Sequence, residues 1–115
     1  MKKILIIDDE PQIRSIFQEI LESEGYAVTT ASNGDKGILC LEQDSFDVII
    51  LDKKMPFRSG PDFIKETRDK VGSAKILLVS GSPPQTDIPN VSGFLPKPCE
   101  INLLIDTVNR LTQGE

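Results

Sequence analysis

Five short apolar segments along the chain alternate with longer stretches in which apolar residues recur at helical spacing. Residues 4–7, 48–51 and 76–79 are continuous apolar runs, which are typical of strands buried on both faces. Residues 27–31 and 93–95 are weaker segments that predict two shorter strands. The pattern therefore predicts five strands.

The stretch after the first strand predicts an amphipathic helix. Pro11 fits its first turn, with Asp9 or Glu10 as the cap, and Gly25 fits its C-terminal end. Its apolar residues lie three and four positions apart, at Ile13, Ile16, Phe17, Ile20 and Leu21. Residues 33–43 predict a weaker second helix with Gly37 inside it.

Two more helices are predicted in the second half of the chain. One begins at Gly60-Pro61 and runs to about Lys70, with inward-facing residues at Phe63, Ile64 and Thr67. The last helix carries its apolar residues at Ile101, Leu104, Ile105, Val108 and Leu111. Strands that alternate with helices predict an α/β fold, here a doubly wound, five-stranded parallel sheet with helices on both faces.

The crossing between the last two strands departs from this pattern. It contains Pro83, Pro84 and Pro89 and few apolar residues, so an ordinary amphipathic helix does not fit there. At most one turn near residues 86–88 is compatible with the sequence. The fourth helix of the fold is therefore expected to be shortened or missing.

Length and composition narrow the function classes. With 115 residues, the chain is expected to be one domain spanning residues 1–115. Its net charge of −5 argues against direct nucleic-acid binding, and no apolar run is long enough to cross a membrane. The absence of histidine excludes His-based catalysis and His-ligated zinc. No signal peptide follows Met1, and Cys40 and Cys99 lack metal-site spacing, so a reduced, cytoplasmic protein is expected.

Polar residues that can carry chemistry follow four of the predicted strands. Asp8 and Asp9 follow the first strand, Asp52 the third, Ser80 the fourth, and Lys97 lies just beyond the fifth. Ligands of open parallel sheets bind at the carboxyl ends of the strands. Clustered carboxylates there favour a hard cation such as Mg²⁺. An aspartate can also act as a nucleophile toward phosphorus when a metal and a cation neutralise the charge.

Taken singly, each of these residues has an ordinary structural explanation. Asp8 and Asp9 could serve only as a helix cap, Lys97 could be a solvated surface lysine, and Phe94 could be a core residue. Their combination, in order after the expected strands, resembles the receiver domain of two-component response regulators across the whole chain. The matching segments are Ile-Leu-Ile-Ile-Asp8-Asp9-Glu10, Asp52-x-x-Met55-Pro56-x-x-x-Gly60, Ser80 and Phe94-Leu-x-Lys97-Pro98.

The resemblance implies a phosphorylation switch with Mg²⁺ as its cofactor. It implies that Asp52 is the phosphoacceptor, that Asp9 is a direct Mg²⁺ ligand, and that Asp8 helps through a water molecule. The backbone carbonyl of Lys54 is a further implied ligand. No organic cofactor is implied.

The same resemblance implies the residues that respond to phosphorylation. Ser80 corresponds to the switch hydroxyl that moves toward the phosphoryl group, and Lys97 to the lysine that pairs with that group. Phe94 corresponds to the aromatic residue that turns inward on activation. The Lys97–Pro98 peptide bond is expected to be cis.

The resemblance also implies partners. The donor would be a phosphohistidine on a sensor histidine kinase or a histidine phosphotransfer protein, and small phosphodonors would serve as well. The domain would catalyse only its own phosphorylation and dephosphorylation, so it is not a metabolic enzyme. Output would pass to an unknown protein target. If the 115 residues are the whole protein, that output is by protein contact; otherwise an effector domain follows.

Other functions remain open on the sequence. Lys54 lies two residues after Asp52, where its ammonium group could weaken Mg²⁺ binding and alter the phosphoryl lifetime or simply point to solvent. Together with the unusual crossing, it keeps a pseudo-receiver, an interaction module not controlled by phosphorylation, as the alternative. An Mg²⁺-dependent phosphatase with an aspartyl nucleophile requires Asp-x-Asp after the first strand and a cap domain, whereas this chain has Asp8-Asp9 and is too short. A flavodoxin-like electron carrier requires a Ser/Thr/Gly-rich loop after the first strand and aromatic residues to hold the flavin, whereas this chain has acids there and no tryptophan.

Overall fold

The computed structural model describes residues 1–54, 60–81 and 90–113. All the strands in these ranges are parallel and form one sheet in the order β2-β1-β3-β4-β5. The doubly wound, five-stranded sheet predicted from the sequence is confirmed. In chain order, the elements are β1 (Lys3–Ile7), α1 (Pro11–Ser23), β2 (Ala27–Ala31), α2 (Gly34–Gln43), β3 (Val48–Asp52), α3 (Gly60–Glu66), β4 (Lys75–Ser80), β5 (Gly93–Pro96) and α4 (Ile101–Thr112).

The sheet has a hydrophobic core on each face. Because side chains alternate along a strand, Ile4 and Ile6 of β1 pack with α1 and α4, whereas Leu5 and Ile7 pack with α2 and α3. β1, β3 and β4 are almost entirely buried, as their continuous apolar runs predicted. This double cover fixes the central strands and so positions the residues at their carboxyl ends.

The crossing from β4 to β5 is where the sequence predicted a shortened or missing helix. The four helices of the described ranges agree with that prediction. Residues 82–89, which include all three prolines and the possible turn at 86–88, lie outside the described residues. The helix that follows β5 is therefore α4 in this chain.

Two details of the helices differ from what their apolar patterns suggest. Ile16 and Ile101 belong to the apolar stripes of the first and last helices, but they are 51% and 56% exposed. Each stands at the edge of an apolar stripe, and deeper neighbours such as Phe17 and Leu104 already fill the space against the sheet. The third helix ends at Glu66 and not near Lys70, because the chain continues from there in turns.

Candidate functional site at the carboxyl end of the sheet

The end of β1 holds Asp8 in a fixed orientation. The N–H of Asp8 extends the pairing with β2 by donating to the carbonyl oxygen of Ala31 at 3.1 Å. Its Oδ1 accepts the N–H of Glu10 at 2.9 Å, and its carbonyl oxygen accepts Nη1 of Arg14 at 2.7 Å. Asp8 is buried, whereas Asp9 is exposed beside it. The chain thus presents one anchored carboxylate and one open to solvent.

Asp52 is the last residue of β3 and is also buried. Its Oδ1 accepts the N–H of Lys54 at 3.2 Å, and the N–H of Lys53 donates to the carbonyl oxygen of Val79 on β4 at 2.9 Å. Gly60 packs against this turn: a Cβ there would lie 2.9 Å from the carbonyl oxygen of Asp52. The Gly60 N–H donates to the Lys53 carbonyl oxygen at 2.8 Å, so the start of α3 closes on the end of β3.

Lys97 reaches the same place from β5. Its N–H donates to the carbonyl oxygen of Ser80 at 3.0 Å, which continues the β4–β5 pairing beyond Pro96. The Lys97–Pro98 peptide bond is cis, as the resemblance implied. The Nζ atom lies 3.2 Å from Oδ2 of Asp8 and 3.2 Å from Oδ2 of Asp52. It also lies 3.0 Å from Oε1 of Glu10.

The electrostatics of the site follow from burial and from this cluster of charges. Burial and the neighbouring Asp8 carboxylate raise the pKa of Asp52 to about 6, against the opposing effect of Lys97. Burial alone would lower the pKa of Lys97, but the carboxylates of Glu10, Asp52 and Asp8 raise it above its ordinary value. Lys97 therefore stays charged, whereas burial and the Asp8 carboxylate destabilise the ionised form of Asp52.

The acidic residues can hold a divalent cation. Carboxylate oxygens of Asp8, Asp9, Glu10 and Asp52 all lie within 4.8 Å of one another. They stand beside a pocket of about 240 Å³ whose lining residues are Asp9, Glu10, Asp52, Lys54, Ser80, Gly81 and Lys97. Hard oxygen ligands next to an open pocket suit Mg²⁺, which retains waters and binds phosphate oxygens. The donor set therefore fits the cation predicted from the sequence.

The structure brings together most of the residues singled out from the sequence. Asp9, Asp52, Lys54, Ser80 and Lys97 share the pocket, and Asp8 contacts Lys97 directly behind it. Phe94 lies on β5, half-buried against the core cluster of the α2–α3 face. Met55 and Pro56 of the quoted motif lie outside the described residues.

Sequence reasoning missed the part played by Glu10. It considered Glu10 only as a possible helix cap, and Glu10 does occupy the cap position of α1. Its side chain makes no capping hydrogen bond, however, and contacts Lys97. The available signal was its position directly after Asp8-Asp9. Arg14, which holds the carbonyl oxygen of Asp8, was also missed, since one turn of helix separates it from the motif.

Two buried acids at the ends of adjacent strands, with a lysine beyond a third, stand at the carboxyl end of an open parallel sheet, which is where doubly wound α/β domains bind their ligands. A family model for the response regulator receiver domain matches residues 4–109. The chain belongs to this family of two-component signal-transduction proteins.

Relatives in sequence are response regulators longer than this chain. A nitrate/nitrite response regulator protein homolog of Haemophilus influenzae is 35% identical, over 98% of this chain and 58% of its own length. The transcriptional regulatory protein CpxR of Klebsiella pneumoniae is 33% identical, over 85% of this chain and 44% of its own. The chain thus spans about half the length of these curated relatives.

Solved structures share the fold over nearly the whole chain. The chemotaxis protein CheY4 of Vibrio cholerae superposes with a TM-score of 0.88 at 29% identity, covering 96% of this chain and 98% of that one. The response regulator TrrA of Thermotoga maritima, solved in complex with Mg²⁺-BeF, superposes with a TM-score of 0.87 at 34% identity, covering 96% and 99%. The fold is therefore that of CheY-like receivers, and residues 4–109 form a receiver domain, which is a signalling module.

Within the described ranges, no helix is both long enough and apolar enough to cross a bilayer.

Proposed function

We propose that this domain accepts a phosphoryl group on Asp52 from a phosphohistidine donor and passes the signal on by a change in its protein-binding surface. One observation carries the proposal: Nζ of Lys97 lies 3.2 Å from a carboxylate oxygen of Asp52, beside a cluster of acids that suits Mg²⁺. The carboxylate that would attack phosphorus, the ammonium group of Lys97 and a set of acids suited to Mg²⁺ thus lie around one pocket.

An oxygen of the Asp52 carboxylate attacks phosphorus, a new O–P bond forms, and the P–N bond to the donor imidazole breaks with its electron pair leaving on nitrogen. The attacking carboxylate must be ionised, and with a pKa of about 6 most of Asp52 is ionised at neutral pH. Lys97 keeps its charge and offers hydrogen bonds to the new phosphoryl oxygens.

Asp8, Asp9 and Asp52, whose carboxylate oxygens lie within 4.8 Å of one another, would hold Mg²⁺. The backbone carbonyl of Lys54 is a further ligand implied by the resemblance to receiver domains. When bound, the ion supplies neutralisation of the phosphoryl charge. Ser80 and Phe94 are proposed as the switch residues, Ser80 because it lines the pocket and Phe94 because it stands on β5, two residues before Pro96.

The proposed donors are a sensor histidine kinase or a histidine phosphotransfer protein, in the cytoplasm, and the receiver of the signal is a protein. The domain would catalyse its own phosphorylation from small phosphodonors and its own dephosphorylation. The function of the complete protein belongs to this proposal as well, because the chain spans only about half the length of the curated relatives it matches.

Intact-mass measurement after incubation with acetyl phosphate tests the proposal. One phosphoryl adduct is expected in the presence of Mg²⁺, and none is expected in EDTA or for Asp52→Asn. Adducts that form equally without Mg²⁺, or equally on the variant, would show that the site does not work as proposed. Circular dichroism of each sample establishes that the protein tested is folded.

The second candidate is a pseudo-receiver, and one observation favours it. Lys54, which is exposed, lines the pocket together with Lys97, so a second basic residue borders the acids. Two cations could neutralise the carboxylates without a metal ion. A folded protein that gives no adduct with acetyl phosphate or with a phosphohistidine donor would favour this candidate.

A further inference from the structure

The ammonium group of Lys97 has three carboxylate neighbours in this structure. A lysine ammonium has three N–H donors and no acceptor. Nζ of Lys97 lies 3.2 Å from Asp8, 3.2 Å from Asp52 and 3.0 Å from Glu10, one carboxylate for each donor. A phosphoryl group on Asp52 can take over the donor that faces Asp52, but it could receive a second hydrogen bond from Lys97 only if Asp8 or Glu10 released one.

Exposure identifies the contact that can be released at least cost. The side chains of Asp8 and Asp52 are 4% and 5% exposed, so an Oδ2 atom that lost Lys97 would stay buried with no ammonium partner, although each Oδ1 would keep its backbone N–H. The side chain of Glu10 is 58% exposed, and water can replace Lys97 as its partner. Glu10 is therefore the partner that Lys97 can leave most readily.

The backbone explains why Glu10 reaches Lys97. Glu10 stands at the cap position of α1, where a side chain commonly accepts an N–H of the first turn, yet it makes no such bond. Its own N–H is held by Oδ1 of Asp8, which fixes the residue beside the site. Its carboxylate crosses the pocket mouth to a lysine 87 positions later in the chain.

We propose that Glu10 is a positioning residue that holds Lys97 in the unphosphorylated domain and gives up this lysine to the phosphoryl group. The inference rests on the proposed function. Since the Glu10–Lys97 contact belongs to the unphosphorylated state alone, it favours that state. Removing the contact should therefore make the domain bind a phosphoryl group more tightly.

Two variants separate this contact from the charge of Glu10. Glu10→Gln removes the charge and weakens the contact. Glu10→Asp keeps the charge but shortens the side chain by one methylene, so that it no longer reaches Nζ of Lys97. Glu19→Gln, at an exposed acid on α1, makes the same change in net charge away from the pocket and serves as the control.

The probe is beryllofluoride, titrated calorimetrically at a Mg²⁺ concentration that saturates every variant. Glu10→Gln and Glu10→Asp are both expected to bind it about two- to fivefold more tightly than the unchanged protein, the range of an exposed ion pair. Glu19→Gln should match the unchanged protein. Equal affinity in all four proteins would overturn the inference, and so would a Glu10→Asp variant that matches the unchanged protein, since charge alone would then explain Glu10→Gln.

A second readout needs no ligand. The ¹H–¹³C signal of the Lys97 Cε group in the metal-free protein should shift in both Glu10 variants and stay in place in Glu19→Gln. An unchanged signal would overturn the contact itself. If the signal shifts but the unchanged protein takes up neither beryllofluoride nor a phosphoryl group, the proposed function fails and the contact survives, so the two failures can be told apart.

Discussion

At the scale of single residues, the carboxylate of Asp52 is held where its own ionisation is unfavourable. It is buried at the end of β3 and faces Asp8, and the contact with Lys97 compensates only in part. The pKa of Asp52 accordingly lies at about 6 instead of its ordinary 3.8. A pKa shifted this far by burial and a specific charged neighbour is typical of functional residues.

Replacing Asp52 by asparagine should stabilise the metal-free protein at neutral pH. A carboxyl with a raised folded-state pKa favours folding when protonated, and this advantage is lost as pH rises from about 3.8 toward about 6. Asp52→Asn escapes that loss, so we expect a gain on the order of 1 kcal/mol at pH 7.5 and little gain at pH 3.5. Urea unfolding in EDTA measures it, and a variant less stable than the unchanged protein at pH 7.5 would contradict the account.

Lys54 should weaken Mg²⁺ binding, because this exposed basic residue lines the same pocket as the acids. Lys54→Asn removes this charge, and we expect an affinity for Mg²⁺ about two- to fivefold higher by calorimetry. Lys36→Asn, on α2, makes the same charge change elsewhere and should leave the affinity unchanged. Equal Mg²⁺ affinity and an equal dephosphorylation rate in the unchanged protein and Lys54→Asn would show that Lys54 only points to solvent.

At the scale of elements, the site depends on how closely α3 approaches the end of β3. Gly60 begins α3 directly against the backbone of Asp52 and Lys53, and no side chain fits between them. The close approach explains why the motif that follows Asp52 has a glycine at position 60: a Cβ there would collide with the backbone at the end of β3.

Gly60→Ala is expected to destabilise the fold. Its Cβ would lie 2.9 Å from the carbonyl oxygen of Asp52 and 3.0 Å from Cα of Lys53, and backbone cannot rotate away as a side chain can. We expect a loss of about 1–3 kcal/mol in the free energy of unfolding. At Gly81 the nearest atom to such a Cβ is 4.0 Å away, so Gly81→Ala is the matched control. Equal stability of the two variants would contradict the close approach.

At the scale of the whole molecule, the sequence predicted the sheet and the residues at its carboxyl end but not every side-chain contact among them. The sheet followed from continuous apolar runs, and parallel strands necessarily bring Asp8, Asp52 and Lys97 to one edge. The contact of Glu10 was not predictable, because it depends on which way a side chain turns at the pocket mouth. The exposure of Ile16 and Ile101 was missed for a related reason: helical spacing does not fix how wide a buried stripe is.

Mg²⁺ should stabilise the whole domain, because a cation that binds only the folded state adds its binding free energy to stability. At 100 times its dissociation constant the ion would contribute roughly 2.7 kcal/mol and raise the melting temperature. Calorimetry in MgCl₂ and in KCl of matched ionic strength separates binding from screening. Identical melting temperatures in the two salts would contradict a Mg²⁺ site among Asp8, Asp9 and Asp52.

The central claim is that Asp52 itself carries the phosphoryl group, and chemical trapping tests it most directly. After phosphorylation with acetyl phosphate and Mg²⁺, borohydride reduces an aspartyl phosphate to homoserine, which peptide mass spectrometry locates to a single residue. We expect homoserine at position 52 and nowhere else. Homoserine at position 8 or 9 with Asp52 unmodified, or no homoserine in a folded protein that carries the phosphoryl adduct, would contradict it.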